Sequence, residues 1–199
     1  MKLLLIGANG TIGSIVREEM KKEAEIITAG RHHADISVDI TSIESIKQMY
    51  KDVGKVDAVV NTAGAAHFAP LQKMTPEQNQ VAVNSKLLGQ VNLVILGMDA
   101  VTDNGSFTLT TGVLMDDPIK QAASAAMANG GVRAFVQSAA IEMPRGLRIN
   151  HVSPTMLEVS AEKYGSLFQG FEPASSERIG LAYRKSIMGA QTGKGFYVY

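Results

Sequence analysis

The sequence has no cysteine among its 199 residues. This excludes disulfide frameworks, thiolate metal sites and cysteine nucleophiles. A surplus of one charge is also missing, because 19 Lys and Arg residues balance 19 Asp and Glu residues. A chain without a basic surplus lacks the counterion-release energy that dominates binding to DNA or RNA, so we expect no nucleic-acid partner.

Long hydrophobic runs are absent as well. The apolar start of the chain ends at Gly7, which is far short of a signal-peptide core. No run approaches the roughly 18 apolar residues that a membrane span needs. Histidine pairs and carboxylate pairs at metal-ligand spacing are also missing. We therefore expect a soluble, cytoplasmic protein with no membrane contact and no metal site.

Short apolar runs do alternate with longer helical patterns along the chain. This alternation predicts an α/β fold, a Rossmann-like doubly wound parallel sheet of about seven strands with helices on both faces, in a single domain over residues 1–199. The predicted strands are Lys2–Ile6, Glu25–Ala29, Asp57–Val60, Ser106–Thr110, Leu147–Val152 and Gly195–Tyr199. Helices are predicted from about Ile12 to Lys22, from Thr41, from Thr75 to about Met98, from about Ile119 to Glu142 and from about Ser175 to Met188.

A glycine-rich segment joins the first strand to the first helix. Glycines at such a junction permit a tight turn, close approach of the backbone to a pyrophosphate and close packing of the helix on the strand. The start of the helix also offers free N–H groups to phosphates. The segment therefore predicts a dinucleotide site, although a glycine-rich connection that binds nothing is the alternative. Its predicted binding residues are Gly7, Asn9, Gly10, Thr11, Ile12 and Gly13.

The end of the second strand indicates which dinucleotide is preferred. A carboxylate at this place accepts a hydrogen bond from the ribose 2′-hydroxyl of NAD, whereas an arginine suits the 2′-phosphate of NADP. Arg31 stands where that carboxylate would be, and Asp35 follows four residues later. We expect NADP(H) to be preferred over NAD(H), unless Arg31 is merely a solvated surface residue.

Several further motifs occur in an order that resembles the short-chain dehydrogenase/reductase (SDR) superfamily over almost the whole chain. The glycine spacing Gly-x-x-Gly-x-x-Gly is similar to that of atypical and extended members. Asp39-Ile40 resembles the pair that contacts adenine, and Asn61-Thr62-Ala63-Gly64 is similar to the family's Asn-Asn-Ala-Gly signature. Asn150–Thr155 resembles the nicotinamide-side motif. The resemblance implies cofactor contacts by Asp39, Ile40, Asn61, Ala63, Gly64 and Pro154.

The same resemblance implies two catalytic positions. Asn84 matches the helix asparagine that holds a water for proton relay, and Thr111 (or Thr110) matches the strand-end serine. The family's Tyr-x-x-x-Lys pair, however, does not occur anywhere in the chain. Ala125 and Asn129 occupy the tyrosine and lysine positions, so neither a phenol nor a charge is available there.

A positioned general acid is worth roughly 10²–10⁴-fold in rate, so a reaction could persist slowly or use another acid. His67 is the candidate acid, because its loop follows the carboxyl end of a strand, and Asn129 is a candidate neutral contact to ribose. A solvated loop histidine is the ordinary alternative.

Three functions remain open from the sequence. The first is an NADP(H)-dependent oxidoreductase that acts on a small carbonyl or alcohol with an altered proton donor. The second is a non-catalytic NADP(H)-binding regulatory or sensor protein, and the third is another reaction such as dehydration or epimerisation. The resemblance also implies a homodimer or homotetramer, and the segment Thr155–Glu172 is expected to cover the substrate.

Overall fold

A computed structural model describes all 199 residues and contains one sheet of seven parallel strands. The strands are β1 (Lys2–Ile6), β2 (Glu25–Gly30), β3 (Ile36–Ser37), β4 (Val56–Asn61), β5 (Val101–Thr110), β6 (Arg148–Pro154) and β7 (Gly195–Val198). Their order across the sheet is β3-β2-β1-β4-β5-β6-β7. The doubly wound parallel sheet predicted from the sequence is confirmed. The two-residue strand β3 was not predicted, because it is too short to show a periodic pattern.

Helices cover both faces of the sheet. They are α1 (Thr11–Met20), α2 (Ile43–Val53), α3 (Pro76–Val81), α4 (Gln90–Gly97), α5 (Ala123–Ala139), α6 (Ala161–Tyr164) and α7 (Ser176–Met188). One buried cluster joins α2, α4 and α5 to the sheet, and a second joins α1 and α7 to its opposite face. Burial on both faces explains why the central strands β1 and β4 contain continuous aliphatic runs.

Two predicted helix starts were wrong, and each has a local cause. Thr41 does not begin α2, because its hydroxyl donates to the Asp39 carboxylate at 2.8 Å, and Ser42 caps the helix instead. The long helix begins at Ala123 and not near Ile119, because Gln121 has a positive φ of 68°. A non-glycine residue in that conformation cannot continue a right-handed helix.

The helix predicted from Thr75 to Met98 is continuous but not uniformly α-helical. It starts with the predicted capping box between Thr75 and Gln78. Residues Ala82–Gly89 then form a π-helical segment between α3 and α4. The run Pro76–Ala100 is long and apolar enough to cross a membrane by length and composition alone, a test that core helices of soluble proteins also pass. Here Leu93 and Val94 are buried against the sheet.

The strand order reverses direction between β1 and β4. Ligands of open α/β sheets bind at the carboxyl ends of the strands beside such a switch point. The loops after β1, β2 and β4 meet at this edge and enclose a cleft of about 640 Å³.

Candidate functional site

The loop between β1 and α1 forms one wall of the cleft. Gly7 has a φ of 84°, and a Cβ there would lie 2.8 Å from the backbone nitrogen of Ala63. A Cβ on Gly13 would lie 2.1 Å from the Gly7 carbonyl oxygen, so only glycine allows the helix to approach the turn this closely. Gly10 is the N-cap of α1 and supplies no side-chain oxygen to the first N–H groups. These groups are therefore available to a phosphate.

Most of the predicted cofactor residues line this cleft. The predicted cofactor residues in the lining are Gly7, Asn9, Gly10, Arg31, Asp39, Ile40, Ala63 and Gly64, and the predicted catalytic residue Asn84 lines the cleft as well. The remaining ones lie outside the lining. Thr11 is exposed at the start of α1, Ile12 packs against the core, and Gly13 is buried beneath the turn. Pro154 ends β6 at the same edge of the sheet.

The end of β2 presents a free cation to the cleft. Arg31 is exposed and forms no ion pair. Asp35, the other residue considered for this position, accepts hydrogen bonds from the Thr28 backbone and hydroxyl at 2.9 and 2.7 Å. These bonds lower the pKa of Asp35 and hold its carboxylate against β2. Asn9 donates to the carbonyl oxygens of His32 and His33, which ties the Arg31 loop to the glycine turn.

The adenine-side pair is held by local hydrogen bonds. Asp39 accepts from the backbone and hydroxyl of Thr41, and these bonds lower the pKa of its carboxyl. Ile40 is buried and packs closely on Gly89 of the π-helical segment. The two residues thus present a carboxylate and an apolar surface side by side in the cleft.

The end of β4 and the segment after it form the cleft floor. Asn61 is fully buried, donates to the Ala63 carbonyl at 2.7 Å and keeps an unpartnered Oδ1. Thr62 donates to the carbonyl oxygens of Ile6 and Gly7, which joins this segment to the glycine turn. His67 is half-buried, in the loop beyond it.

Both threonines at the end of β5 are buried and already paired. The Thr110 hydroxyl lies 2.6 Å from both the Asn61 carbonyl oxygen and the Tyr183 hydroxyl. The Thr111 hydroxyl lies 2.8 Å from Nδ1 of His151, whose Nε2 has no partner. Burial, reinforced by the nearby Arg133, lowers the pKa of His151 to about 4, so its imidazole is neutral at pH 7. A hydroxyl beside a neutral imidazole can hold or pass a proton.

Positions 125 and 129 face this edge from α5. Ala125 is buried in a small apolar cluster with Val113, Leu114 and Ala122, and Phe168 and Phe171 pack over it. The two phenylalanines belong to the segment expected to cover the site and contact each other edge to face. Asn129 donates to the Gly112 carbonyl and leaves its own buried Oδ1 without a partner.

One residue beside the site, Lys86, escaped the sequence reasoning. Lys86 lies on the π-helical segment two residues beyond Asn84, and it is half-buried whereas Asn84 is exposed. Asn84 lines the cleft and accepts a hydrogen bond from the Gln80 side chain at 2.8 Å. A lysine beside apolar residues was the only sequence signal that pointed to this position. Its place in the fold could not be predicted, because a π-helical turn has no sequence signature.

Comparison with known proteins assigns the family. Residues 6–185 match the model of the family described as enoyl-(acyl carrier protein) reductase. The chain belongs to the short-chain dehydrogenase/reductase superfamily. This SDR assignment rests on 180 of the 199 residues, from position 6 to position 185.

Solved structures agree with the fold of this SDR protein. The protein lin1944 of Listeria innocua is 60% identical over the full length of both chains, with a TM-score of 0.99. A small-chain dehydrogenase in complex with NADPH is 22% identical, with a TM-score of 0.86 over 100% of this chain and 96% of the other. At that identity the likeness shows the fold alone.

Two of the relatives found by sequence are named as reductases. An acetoacetyl-CoA reductase of Shinella zoogloeoides is 36% identical over 30% of this chain. A hydroxynaphthalene reductase of Aspergillus fumigatus is 23% identical over 67% of this chain. The matches span 24% and 52% of these two relatives' own lengths.

Proposed function

We propose that this SDR protein is an NADP(H)-dependent oxidoreductase that acts on a small carbonyl or alcohol. The observation that carries the proposal is the cleft at the strand switch, which combines a tight glycine turn, an uncapped helix start and the free cation Arg31. The NADPH complex of a fold relative and the reductase names of sequence relatives support it.

The residues present fit such a dinucleotide. The backbone N–H groups at the start of α1 would hold the pyrophosphate, Asp39 and Ile40 the adenosine, and Arg31 the 2′-phosphate. Asn129 has an unpartnered carbonyl oxygen that would accept a ribose hydroxyl. The bound dinucleotide would supply or accept a hydride.

The cofactor preference is tested by replacing Arg31. Wild-type protein is expected to bind NADPH at least tenfold more tightly than NADH in isothermal titration calorimetry, because the guanidinium pairs with the 2′-phosphate. Arg31→Ala should make the two affinities equal. The matched control is Arg17→Ala, which removes an exposed arginine in the last turn of α1. This variant should keep the preference for NADPH over NADH. Equal binding of both nucleotides by the wild type would contradict the proposal.

A non-catalytic NADP(H)-binding regulatory protein is the second candidate. Two observations favour it, namely the apolar packing around Ala125 and the sealed Thr111–His151 pair. NADPH oxidation is measured with a panel of aldehydes, ketones and quinones. An inert wild type and an active Ala125→Tyr/Asn129→Lys double variant would favour this second candidate. Loss of wild-type turnover on His67→Ala would instead identify His67 as the acid.

We also propose a cytoplasmic homo-oligomer. The family resemblance implies the oligomer. Leu88 and Ile95 support it, because both are exposed and they lie seven residues apart along the same helical run. The Ile95→Glu variant should shift the protein to monomer in sedimentation velocity. The Leu181→Glu variant places the same charge on an equally exposed leucine of α7 and should leave the assembly unchanged. A monomeric wild type would exclude the oligomer.

A further inference from the structure

Lys86 is a half-buried cation with no counter-ion. No carboxylate lies within ion-pair distance of its amine, and the amine donates no hydrogen bond to the protein. Lysines that only solubilise a surface extend into water, whereas this one lies on the segment that α5 packs against. The amine makes no hydrogen bond to the protein, yet it is not one of the fully buried polar atoms that lack a partner. It is therefore accessible to solvent. Lys86 therefore has a charge that the folded chain does not neutralise.

The backbone places Lys86 against the wall of the cleft at Gly64. A Cβ built on Gly64, which lines the cleft, would lie 3.3 Å from both Cα and Cγ of Lys86. The buried Gln90 side chain donates to the Lys86 carbonyl at 2.8 Å and to the Thr110 carbonyl at 2.9 Å. Lys86 is thereby fixed between the ends of β4 and β5. Lys86 belongs to the π-helical segment, and such turns occur often at functional sites.

The charged groups around the segment do not compensate this amine. Glu77 of α3 is exposed, His67 follows the cleft floor, and Arg133 of α5 pairs with Asp116. The apolar helix α4 contributes no charged residue. Burial alone lowers the pKa of Lys86 to about 8. At neutral pH most of the amine is thus protonated, yet it releases a proton more readily than an exposed lysine does.

We propose that Lys86 is the proton donor and acceptor of the reaction, in the place of the missing tyrosine. This inference rests on the proposed function. During reduction the carbonyl carbon receives a hydride from the reduced dinucleotide, the π pair of the C=O bond moves to oxygen, and that oxygen takes a proton from Nζ. The products are the alcohol, the oxidised dinucleotide and a neutral amine, which regains a proton from water in the open cleft. Oxidation runs through the same atoms in reverse.

Turnover separates proton transfer from binding. Lys86→Met should lower kcat for carbonyl reduction at least 100-fold while the calorimetric Kd for NADPH changes less than threefold. Lys86→Arg keeps the charge but cannot release a proton near pH 8, so it should be equally slow. The wild-type pH profile should have a limb near pH 8 that neither variant shows. Lys51→Met, at an exposed position of α2, is the matched control and should keep full activity.

A titration tests the proposal without turnover. Lysines are reductively methylated with ¹³C-formaldehyde, and the Lys86 resonance is identified by its loss in Lys86→Arg. We expect this resonance to titrate near pH 8 and to shift with NADP⁺ but not with 2′-phospho-ADP-ribose, which lacks nicotinamide. The role of Lys86 is overturned if its resonance titrates near pH 10.5, or if NADP⁺ shifts it no more than 2′-phospho-ADP-ribose does. If the wild type reduces no member of the carbonyl panel, this titration decides alone.

The two proposals fail in different ways. If calorimetry detects no heat with NADPH or NADH, the dinucleotide site itself is wrong and the Lys86 proposal falls with it. If NADPH binds and Lys86→Met reduces carbonyls at the wild-type rate and with the wild-type pH profile, only the Lys86 proposal is overturned.

Discussion

Gly13→Ala is expected to destabilise the protein by about 3 kcal/mol or more and to weaken NADPH binding at least tenfold. The added methyl would lie 2.1 Å from the Gly7 carbonyl oxygen, and backbone on both sides cannot move as a side chain would. Relief requires α1 to move away from the turn, which removes the N–H groups from the phosphate position. Urea unfolding and isothermal titration calorimetry measure the two effects.

The control for this prediction is another helical glycine. A Cβ on Gly130 in α5 meets no atom within 4 Å, so Gly130→Ala should raise stability by about 0.5–1 kcal/mol through its better helix propensity. It should leave NADPH binding unchanged. If Gly13→Ala bound NADPH like the wild type, the contact between α1 and the turn would not define the phosphate site.

Acidification from pH 6.5 to 4 is expected to cost about 3 kcal/mol of folding free energy through His151 alone. The pKa of His151 is about 4 in the folded state, against 6.5 for the unperturbed group. Between these values the unfolded chain binds a proton that the folded chain does not, so stability falls as the pH decreases through this window. Above pH 6.5 both states are neutral and the contribution is constant.

Urea unfolding at a series of pH values measures this slope. His151→Gln should remove it, and His32→Gln, a substitution at an exposed histidine, should keep it. Asp57 accepts hydrogen bonds from Lys2 and Thr102 that lower its pKa, so such carboxyl groups contribute a further loss that begins as the pH approaches their ordinary value of 3.8. A wild type whose stability is flat from pH 6.5 to 4 would show that the imidazole is accessible to protons in the folded state.

The sequence was sufficient for the parts of the protein that depend on local pattern. The aliphatic runs of β1 and β4 and the capping box at Thr75 were predicted because burial on both faces and helix capping both leave a local signature. The glycine turn was predicted for the same reason, since its spacing is set by backbone geometry. Asp39, Ile40 and Gly64 were placed by resemblance, and the structure brings them into the same cleft.

The parts that depend on tertiary packing could not be predicted. The pairing of Thr111 with His151 joins adjacent strands 40 residues apart, and neither residue type specifies the other. The counter-ion-free position of Lys86 depends on α5, Gly64 and Gln90 together. Arg31 remains a prediction about specificity, because an exposed arginine at a cleft is equally compatible with solvation and with phosphate binding.

The π-helical segment has a consequence for how length changes are tolerated. Relative to an ideal α-helix, each wide turn holds one surplus residue, which offsets the angular phase of everything that follows by about 100°. Deleting one residue between Ala82 and Gly89 would convert the wide turn to a regular one, and the contact of Lys86 with Gly64 would be lost while α3 and α4 kept their own hydrogen bonds. In related sequences, insertions and deletions in this helix should therefore coincide with changes of chemistry at position 86.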